Sequence, residues 1–230
     1  AQFAARLEFA IAPETMALCR TLDLGGLARE RVMGEMEKAL TRSRRPSRCF
    51  EALREMGQLE PWLKEVAALI GVKQRADCHP EGDAWTHTML VVDEAAKLRD
   101  EAKNPTGLML AALLHDVGKA VAMQEKDGVI HAYGHETAGV PLAEEFLRRL
   151  TGEKALCRYV LNMVELHMKP NMYAAQNSGQ KAWNRLFDRS ACPEDLLLLA
   201  KADHRGRINA APYAETERTI RARLSAYEEM

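Results

Sequence analysis

The sequence predicts an all-α fold, in which a larger helical bundle follows a smaller helical subdomain and at most one short β-hairpin is present. Apolar residues recur at the helical period of about 3.6 residues along most of the 230-residue chain. Proline lies at or near the start of several periodic segments, where its fixed φ suits a first helical turn. A single segment, DGVIHAY at 127–133, instead pairs a turn-forming Asp-Gly with β-branched residues and predicts the hairpin.

Each predicted helix is bounded by local signals. Pro13, Pro61 and Pro105 lie near predicted first turns, and Thr151 and Ser178 are candidate N-caps. The periodic segments predict helices over residues 13–22, 26–41, 47–57, 60–71, 84–103, 106–121, 136–150, 153–168, 179–189, 193–206 and 213–229.

A polar stretch rich in turn formers, GVKQRADCHPEGD at 71–83, separates two parts of the chain. We expect a segment of short helices over residues 1–75 and a longer helical bundle over 76–230. Six of the seven histidines follow the polar stretch. The second part is therefore where we expect the chemistry to lie.

Composition and charge exclude several classes of protein. A net charge of −1 provides no overall positive field to attract nucleic acid. No apolar run approaches the roughly 20 residues that a membrane helix needs, and the N-terminal segment lacks the pattern of a signal peptide. We therefore expect a cytoplasmic protein with no membrane partner. Because the chain begins at Ala1 inside a helical pattern, we expect it to be part of a longer protein.

The cysteines agree with a reducing compartment. They are odd in number, scattered, and form no CxxC motif, so we expect free thiols. The five are Cys19, Cys49, Cys78, Cys157 and Cys192.

Side chains that bind metals recur at core-facing positions of five predicted helices. A buried carboxylate without a partner is costly, so several such residues in one core are best tolerated around a cation. A lone histidine on an apolar face is more often a core residue, but four histidines with two aspartates favour a metal site built from imidazole and carboxylate groups. The six residues are His87, His115, Asp116, His135, His167 and Asp203.

The order of these residues resembles a known pattern. His87, the doublet His115-Asp116 and the distant Asp203 are similar to the H…HD…D set of the HD superfamily of metal-dependent phosphohydrolases. The surrounding sequence looks like the HD domain of bacterial tRNA nucleotidyltransferases, the CCA-adding and poly(A) polymerase family. The segments that carry this resemblance are HPEGDAWTHTMLVVD at 79–93, LLHDVGKA at 113–120 and GHETAG at 134–139.

The N-terminal part resembles the neck and body of the same family over AQFAARLEFAIAPETMALCR at 1–20 and ERVMGEMEKAL at 30–40. The family's catalytic head carries a Gly-Ser turn followed by paired aspartates, and no segment of this sequence resembles it. We therefore expect no nucleotidyltransferase activity from this polypeptide.

The resemblance implies a phosphohydrolase with 2′,3′-cyclic phosphodiesterase, 2′-nucleotidase and phosphatase activities on nucleotides or RNA ends. The implied enzyme requires one or two divalent ions, and the candidates are Ni, Mn, Mg, Co, Fe and Zn. The residues assigned to the first ion are His87, His115, Asp116 and Asp203. His135 and His167 are expected either to bind a second ion, with Asp116 bridging, or to contact the phosphate.

Further residues receive roles by the same reasoning. We expect Lys119 to stabilise the phosphoryl oxygens, and Asp116 or Asp203 to orient the attacking water. Arg205 and Arg207 either steer the phosphate or are solvated charges at a helix end. We expect His79, His131 and His204 not to bind the metal, and interpret Glu81 and Asp83 as helix caps.

The segment TRSRRPSR at 41–48 carries a cluster of arginines. They are either a solvated loop or contacts to tRNA phosphates. The four are Arg42, Arg44, Arg45 and Arg48.

Two other functions compete with the phosphohydrolase. One is a non-catalytic tRNA-binding and dimerisation module with a vestigial metal site, and a homodimer is expected to be compatible with either reading. The other is a nucleotide-sensing HD hydrolase, against which the neck-like N-terminal segment argues. The complete H…HD…D set favours an active enzyme.

Overall fold

The computed structural model describes residues 1–75, 77, 79–126 and 128–230, most of which form helices. The first part contains α1 (Gln2–Leu7), α2 (Pro13–Cys19), α3 (Arg29–Arg42), α4 (Ser47–Glu55) and α5 (Lys64–Ala67). The second part contains α6 (Ala84–Leu98), α7 (Pro105–Leu114), α8 (Lys119–Ala122), α9 (His135–Leu150), α10 (Lys154–Leu166), α11 (Lys169–Ala175), α12 (Gln180–Arg189), α13 (Pro193–Arg205) and α14 (Ala214–Glu228). The all-α prediction is confirmed.

A two-stranded antiparallel sheet interrupts the helices between α8 and α9. Strand β1 (Gln124–Lys126) pairs with β2 (Val129–His131), and Glu125 lies opposite Ile130. The predicted segment 127–133 therefore contains β2, whereas β1 precedes it. Gly128 has a φ of 73°, which glycine adopts without steric cost. Asp127, the other residue of the predicted turn, lies outside the described residues.

Some predicted helix boundaries are wrong for local reasons. The helix predicted over 60–71 is reduced to α5, and the one predicted over 84–103 ends at Leu98 before a 3₁₀ turn. Helices α1 and α11, which are both short, were not predicted. Pro170 in the first turn of α11 separates this helix from α10.

The helix predicted over 106–121 is divided into α7 and α8 by turns at 115–118. Gly118 lies in this break, and α9 passes very close to it. A Cβ atom at position 118 would lie 1.9 Å from the carbonyl oxygen of His135. Only glycine permits this approach, which brings the start of α9 to the end of α7.

The core is centred on α7, whose residues Gly107–Leu114 are all buried. Helices α3, α6, α10 and α13 pack around it. The same buried apolar cluster includes Met36 and Phe50 from the first part of the chain. The two parts therefore share packing, and the proposed boundary at residues 75 and 76 stays a prediction.

None of the described helices is long and apolar enough to cross a bilayer. The four described cysteines are free thiols, as expected: Cys19, Cys49, Cys157 and Cys192. Cys78 lies outside the described residues.

Candidate metal centre

Five helical segments bring the six predicted metal-binding side chains into one buried cluster. One histidine comes from α6, a His-Asp pair follows α7, a histidine begins α9, another follows α10, and an aspartate lies near the end of α13. None of the six is more than 5% exposed: His87, His115, Asp116, His135, His167 and Asp203.

Local signals place these side chains at helix ends. Asp83 caps α6 by accepting a hydrogen bond from the Thr86 backbone N–H at 2.9 Å, so His87 lies in the first turn. Helix α7 ends at Leu114, and the turns that follow allow the adjacent His115 and Asp116 to enter the same cluster. The interruption of α7 is therefore what makes both residues available.

The His87 ring is held by carboxylates on both sides. Its Nδ1 lies 2.8 Å from Glu81 Oε1, and its Nε2 lies 3.1 Å from Asp203 Oδ1. Burial alone would raise the pKa of Glu81, but its hydrogen bonds, led by the one from His87, lower that pKa to about 2. Because an ionised carboxylate only accepts, Nδ1 of His87 carries the proton and donates it.

The other three histidines use the same arrangement with backbone oxygens. In each, Nδ1 lies 2.7–2.9 Å from the carbonyl oxygen three residues earlier, which can only accept. The donors are His115 to Ala112, His135 to Ala132 and His167 to Val164. All four rings therefore have Nδ1 as the donor, which leaves Nε2 facing the centre as the atom that could bind a metal.

Asp116 lies at the middle of the cluster, and its two oxygens face different partners. Oδ1 is 3.1 Å from His135 Nε2 and 3.8 Å from His167 Nε2. Oδ2 is 3.2 Å from His115 Nε2 and 2.6 Å from Lys119 Nζ. Burial alone would raise the pKa of Asp116, but the charges of His115 and Lys119 and the hydrogen bonds to it hold that pKa well below its usual range.

The carboxylate of Asp203 is also kept ionised. Burial opposes its charge, but the hydrogen bond from His87 and the charge of Arg207 hold its pKa well below its usual range. In His167, burial and the neighbouring His115 and His135 lower the pKa to about 3. The cluster therefore combines ionised carboxylates with a neutral imidazole.

Two features of these donor atoms fit a bound cation. The buried Nε2 of His115 makes no hydrogen bond to any described residue. His167 is held neutral, so its Nε2 presents a lone pair 3.3 Å from His135 Nε2, and this lone pair is available to a cation. Two groups of three residues each have donor atoms within 4.8 Å of one another: His87, His115 and Asp203, and Asp116, His135 and His167. Both groups could hold a metal ion.

The cluster opens into a cavity of about 220 Å³. Lys119 lines it and is fixed by Gln74, whose Oε1 accepts a hydrogen bond from Lys119 Nζ at 2.6 Å. Arg207 also lines the cavity, and its Nη2 lies 3.4 Å from Asp203 Oδ2. Arg205 is exposed and is not among the described residues that line the cavity. The structure thus separates two arginines that the sequence analysis treated together.

The sequence interpretation of Glu81 as a helix cap is wrong. Asp83 caps α6 alone, while the buried Glu81 carboxylate contacts the rings of His79 and His87 and accepts from the Ile208 backbone N–H. Gln74 was also missed. The spacing of Glu81 and His87 within one loop and helix was the available signal, since histidines that bind metals commonly donate their second N–H to a carboxylate.

The remaining histidines have different surroundings. His79 lines the cavity and shares Glu81 with His87, which makes a third three-residue group that could hold a metal: His79, Glu81 and His87. His131 is the last residue of β2 and stacks on Tyr133. His204 bonds the carbonyl oxygen of Ala211 through Nε2, outside the cavity.

The predicted RNA-binding arginines lie at the end of α3 and the start of α4, away from the cavity. All four are exposed: Arg42, Arg44, Arg45 and Arg48. Arg45 Nε lies 3.4 Å from Asp93 Oδ2, which also accepts a hydrogen bond from Ser47 Oγ.

Two family models match the chain. The model described as "HD domain" matches residues 84–224, and the one described as "Probable RNA and SrmB- binding site of polymerase A" matches residues 8–70. The first contains all six residues of the buried cluster.

Curated relatives are similar along almost the whole chain. The "Multifunctional CCA protein" of Actinobacillus pleuropneumoniae is 37% identical over 223 residues, which cover 90% of this chain and 53% of that protein. Proteins of the same name from Burkholderia pseudomallei and Burkholderia mallei are 37% identical over 239 residues, which cover 98% of this chain and 56% of theirs. The chain therefore spans about half the length of the curated relatives it matches.

Proposed function

The chain belongs to the HD domain family, and on that premise we propose that it is a metal-dependent phosphohydrolase of the 2′,3′-cyclic phosphodiesterase and phosphatase type. Its proposed substrates are nucleotides or RNA ends. The observation that carries this proposal is the convergence of four imidazole rings and two carboxylates in one buried cluster, of which Asp116, His135 and Asp203 line a cavity that also contains Lys119. This is a donor set for a divalent cation beside a site for an anion.

His87, His115, Asp116 and Asp203 would hold the proposed first ion. His135 and His167 would hold a second ion together with Asp116, whose Oδ2 lies near His115 and whose Oδ1 lies near His135. The candidate ions are Ni, Mn, Mg, Co, Fe and Zn; among these, imidazole ligands suit Ni, Fe and Zn, and carboxylate ligands suit Mn and Mg. When bound, such ions polarise the phosphoryl group and acidify water.

The protein side chains supply orientation and charge. Asp116 and Asp203 stay ionised because their pKa values are depressed, so either carboxylate accepts a hydrogen bond from the attacking water. The water oxygen bonds to phosphorus, one ribose P–O bond breaks, and the ribose oxygen takes up the proton that the water loses. Lys119 stabilises the charge on the phosphoryl oxygens, and Arg207 attracts the phosphate to the cavity.

The decisive experiment combines metal content with turnover. The chain would be purified without chelator, analysed for bound metals, and assayed on 2′,3′-cyclic AMP with added Ni, Mn, Co or Mg. We expect bound metal and hydrolysis that vanish in the double variant His115→Ala, Asp116→Ala. His204→Ala, outside the cavity, is the matched control. No bound metal and no turnover with any cation would contradict the proposal.

We also propose that the N-terminal part contacts RNA, so that the substrate includes RNA ends such as those of tRNA. The match over residues 8–70 and the exposed cluster of four arginines support this proposal. A non-catalytic tRNA-binding and dimerisation module remains the alternative, and salt-dependent tRNA binding without hydrolysis would favour it. A cytoplasmic location is part of the proposal, since the described cysteines are free.

A further inference from the structure

Two aromatic rings stand at the edge of the cavity. The Tyr133 side chain is 82% exposed, and its ring stacks on that of His131 with centroids 4.8 Å apart and planes 15° from parallel. The fold therefore fixes the orientation of the Tyr133 ring without covering it. An exposed aromatic face held in this way is available to a flat ligand.

The position of this pair relates it to the metal centre. His131 and Tyr133 line the same cavity as Asp116 and Lys119. Ala132 lies between the two rings in sequence, and its carbonyl oxygen accepts the hydrogen bond from His135 Nδ1 at 2.8 Å. His135, a member of the buried cluster, thus holds by a hydrogen bond the segment that carries the His131 and Tyr133 rings.

We propose that His131 and Tyr133 form a stacking platform for the nucleobase of the substrate, which rests on the proposed phosphohydrolase function. With the base on Tyr133, the ribose phosphate extends toward Lys119 and the buried cluster. Met123 and Met168 supply apolar walls to the same cavity. Stacking needs only a π-face, so the platform accepts any base that is unpaired. A free nucleotide and the terminal nucleotide of an RNA strand share this chemistry.

The first test compares substrates that differ only in the base. Hydrolysis of 2′,3′-cyclic AMP would be compared with that of an abasic analogue, in which hydrogen replaces the base on the same cyclic ribose phosphate. We expect the wild type to prefer the nucleotide by about tenfold or more in kcat/KM, and Tyr133→Ala to lose most of that preference. Tyr133→Phe should retain it, because the phenyl ring still stacks. Glu125→Gln on strand β1 is the control on the hairpin.

A binding test separates failure of the platform from failure of the enzyme. Isothermal titration in the presence of Mn would measure the binding of inorganic phosphate and of a non-hydrolysable nucleotide, the phosphonate analogue of adenosine 2′-monophosphate in which a methylene group replaces the ester oxygen, to the wild type and to Tyr133→Ala. We expect Tyr133→Ala to weaken nucleotide binding about tenfold and to reduce the advantage of the nucleotide over phosphate. Equal nucleotide affinity in both proteins would overturn the platform, whether or not hydrolysis occurs. Tyr133-dependent binding without turnover would contradict only the hydrolase proposal.

The same variants distinguish the two sources of the base. A short oligoribonucleotide ending in a 2′,3′-cyclic phosphate would be compared with free 2′,3′-cyclic AMP. Dependence on Tyr133 with either substrate supports the platform and identifies that substrate as the one it serves. Independence from Tyr133 with both would overturn it.

Discussion

Glu81 and His87 form a buried carboxylate–imidazole pair with Glu81 Oε1 2.8 Å from His87 Nδ1. The opposite ring nitrogen faces Asp203, 3.1 Å away. The pair fixes both the tautomer and the orientation of His87, and Glu81 also contacts the His79 ring and the Ile208 backbone N–H. One carboxylate thereby joins three segments around the candidate metal centre.

Glu81→Gln should weaken metal binding without unfolding the protein. The neutral amide of Gln still accepts a hydrogen bond from His87 Nδ1, but without the negative charge His87 Nε2 becomes less basic. We therefore expect a loss of about 10- to 100-fold in Mn or Co affinity. Equilibrium dialysis with elemental analysis would measure it. Glu145→Gln, at an exposed position of α9, is the control. Equal metal affinities in Glu81→Gln and the wild type would show that the charge of Glu81 does not contribute to metal binding.

Replacing Lys119 should lower turnover without lowering metal affinity. Its ammonium lies 2.6 Å from Asp116 Oδ2, where it competes with a cation. We expect Lys119→Met to lower kcat/KM about 100-fold, because a donor to the phosphoryl oxygens is lost, while Mn affinity is unchanged or higher. The measurements are steady-state kinetics and metal titration, with the exposed Lys154→Met as control. Reduced metal affinity in Lys119→Met would contradict this expectation and would indicate that Lys119 holds Asp116 in position to bind the metal.

Asp195 should be a stability determinant outside the metal centre. This buried carboxylate accepts hydrogen bonds from the backbone N–H groups of Lys103 and Asn104, and a third from Tyr159 Oη at 2.6 Å. Tyr159→Phe removes one of these donors, so we expect a loss of about 1–3 kcal/mol in the free energy of unfolding. Urea denaturation measures it, and Tyr227→Phe, which removes a hydrogen bond to Asp188 at the surface, should cost less.

The same pair predicts a pH dependence. Burial, followed by the hydrogen bond and charge of Asp195, raises the pKa of Tyr159 above its usual value. The folded state therefore keeps the proton when the unfolded tyrosine loses it, near pH 10, so the contribution of Tyr159 to stability is present below that pH and falls as pH rises above it. The stability gap between wild type and Tyr159→Phe should narrow above about pH 10. A constant gap through this range would contradict the raised pKa.

Gly118→Ala should disrupt the break between α7 and α8. The added methyl would lie 1.9 Å from the His135 carbonyl oxygen, which forces α9 away from α7. We expect a loss of more than about 2 kcal/mol in unfolding free energy, together with weaker metal binding. Gly34→Ala is the matched control, since no described atom outside the local backbone of its own helix would lie within 4 Å of its Cβ and alanine favours a helix interior. Thermal unfolding of the two variants should move in opposite directions.

The sequence by itself determined the helical class and the faces on which the polar residues lie. Apolar periodicity depends on neighbouring residues a few positions apart, so it predicted α9, α10, α12 and α13 with small errors at their ends. The same periodicity placed His87 and Asp203 on apolar faces, and both are buried. Their role as metal ligands stays a prediction.

Only the tertiary structure decided which of these residues meet and what surrounds them. The break after Leu114 depends on the contact of Gly118 with α9, and the pairing of Glu81 with His87 depends on a loop closing over the start of α6. Whether Arg205 or Arg207 lines the cavity was decided by how α13 ends against its neighbours. Such contacts join residues that are distant in sequence, or residues in loops, where no repeating apolar pattern predicts their positions. The distances between these residues are set by packing in the folded chain.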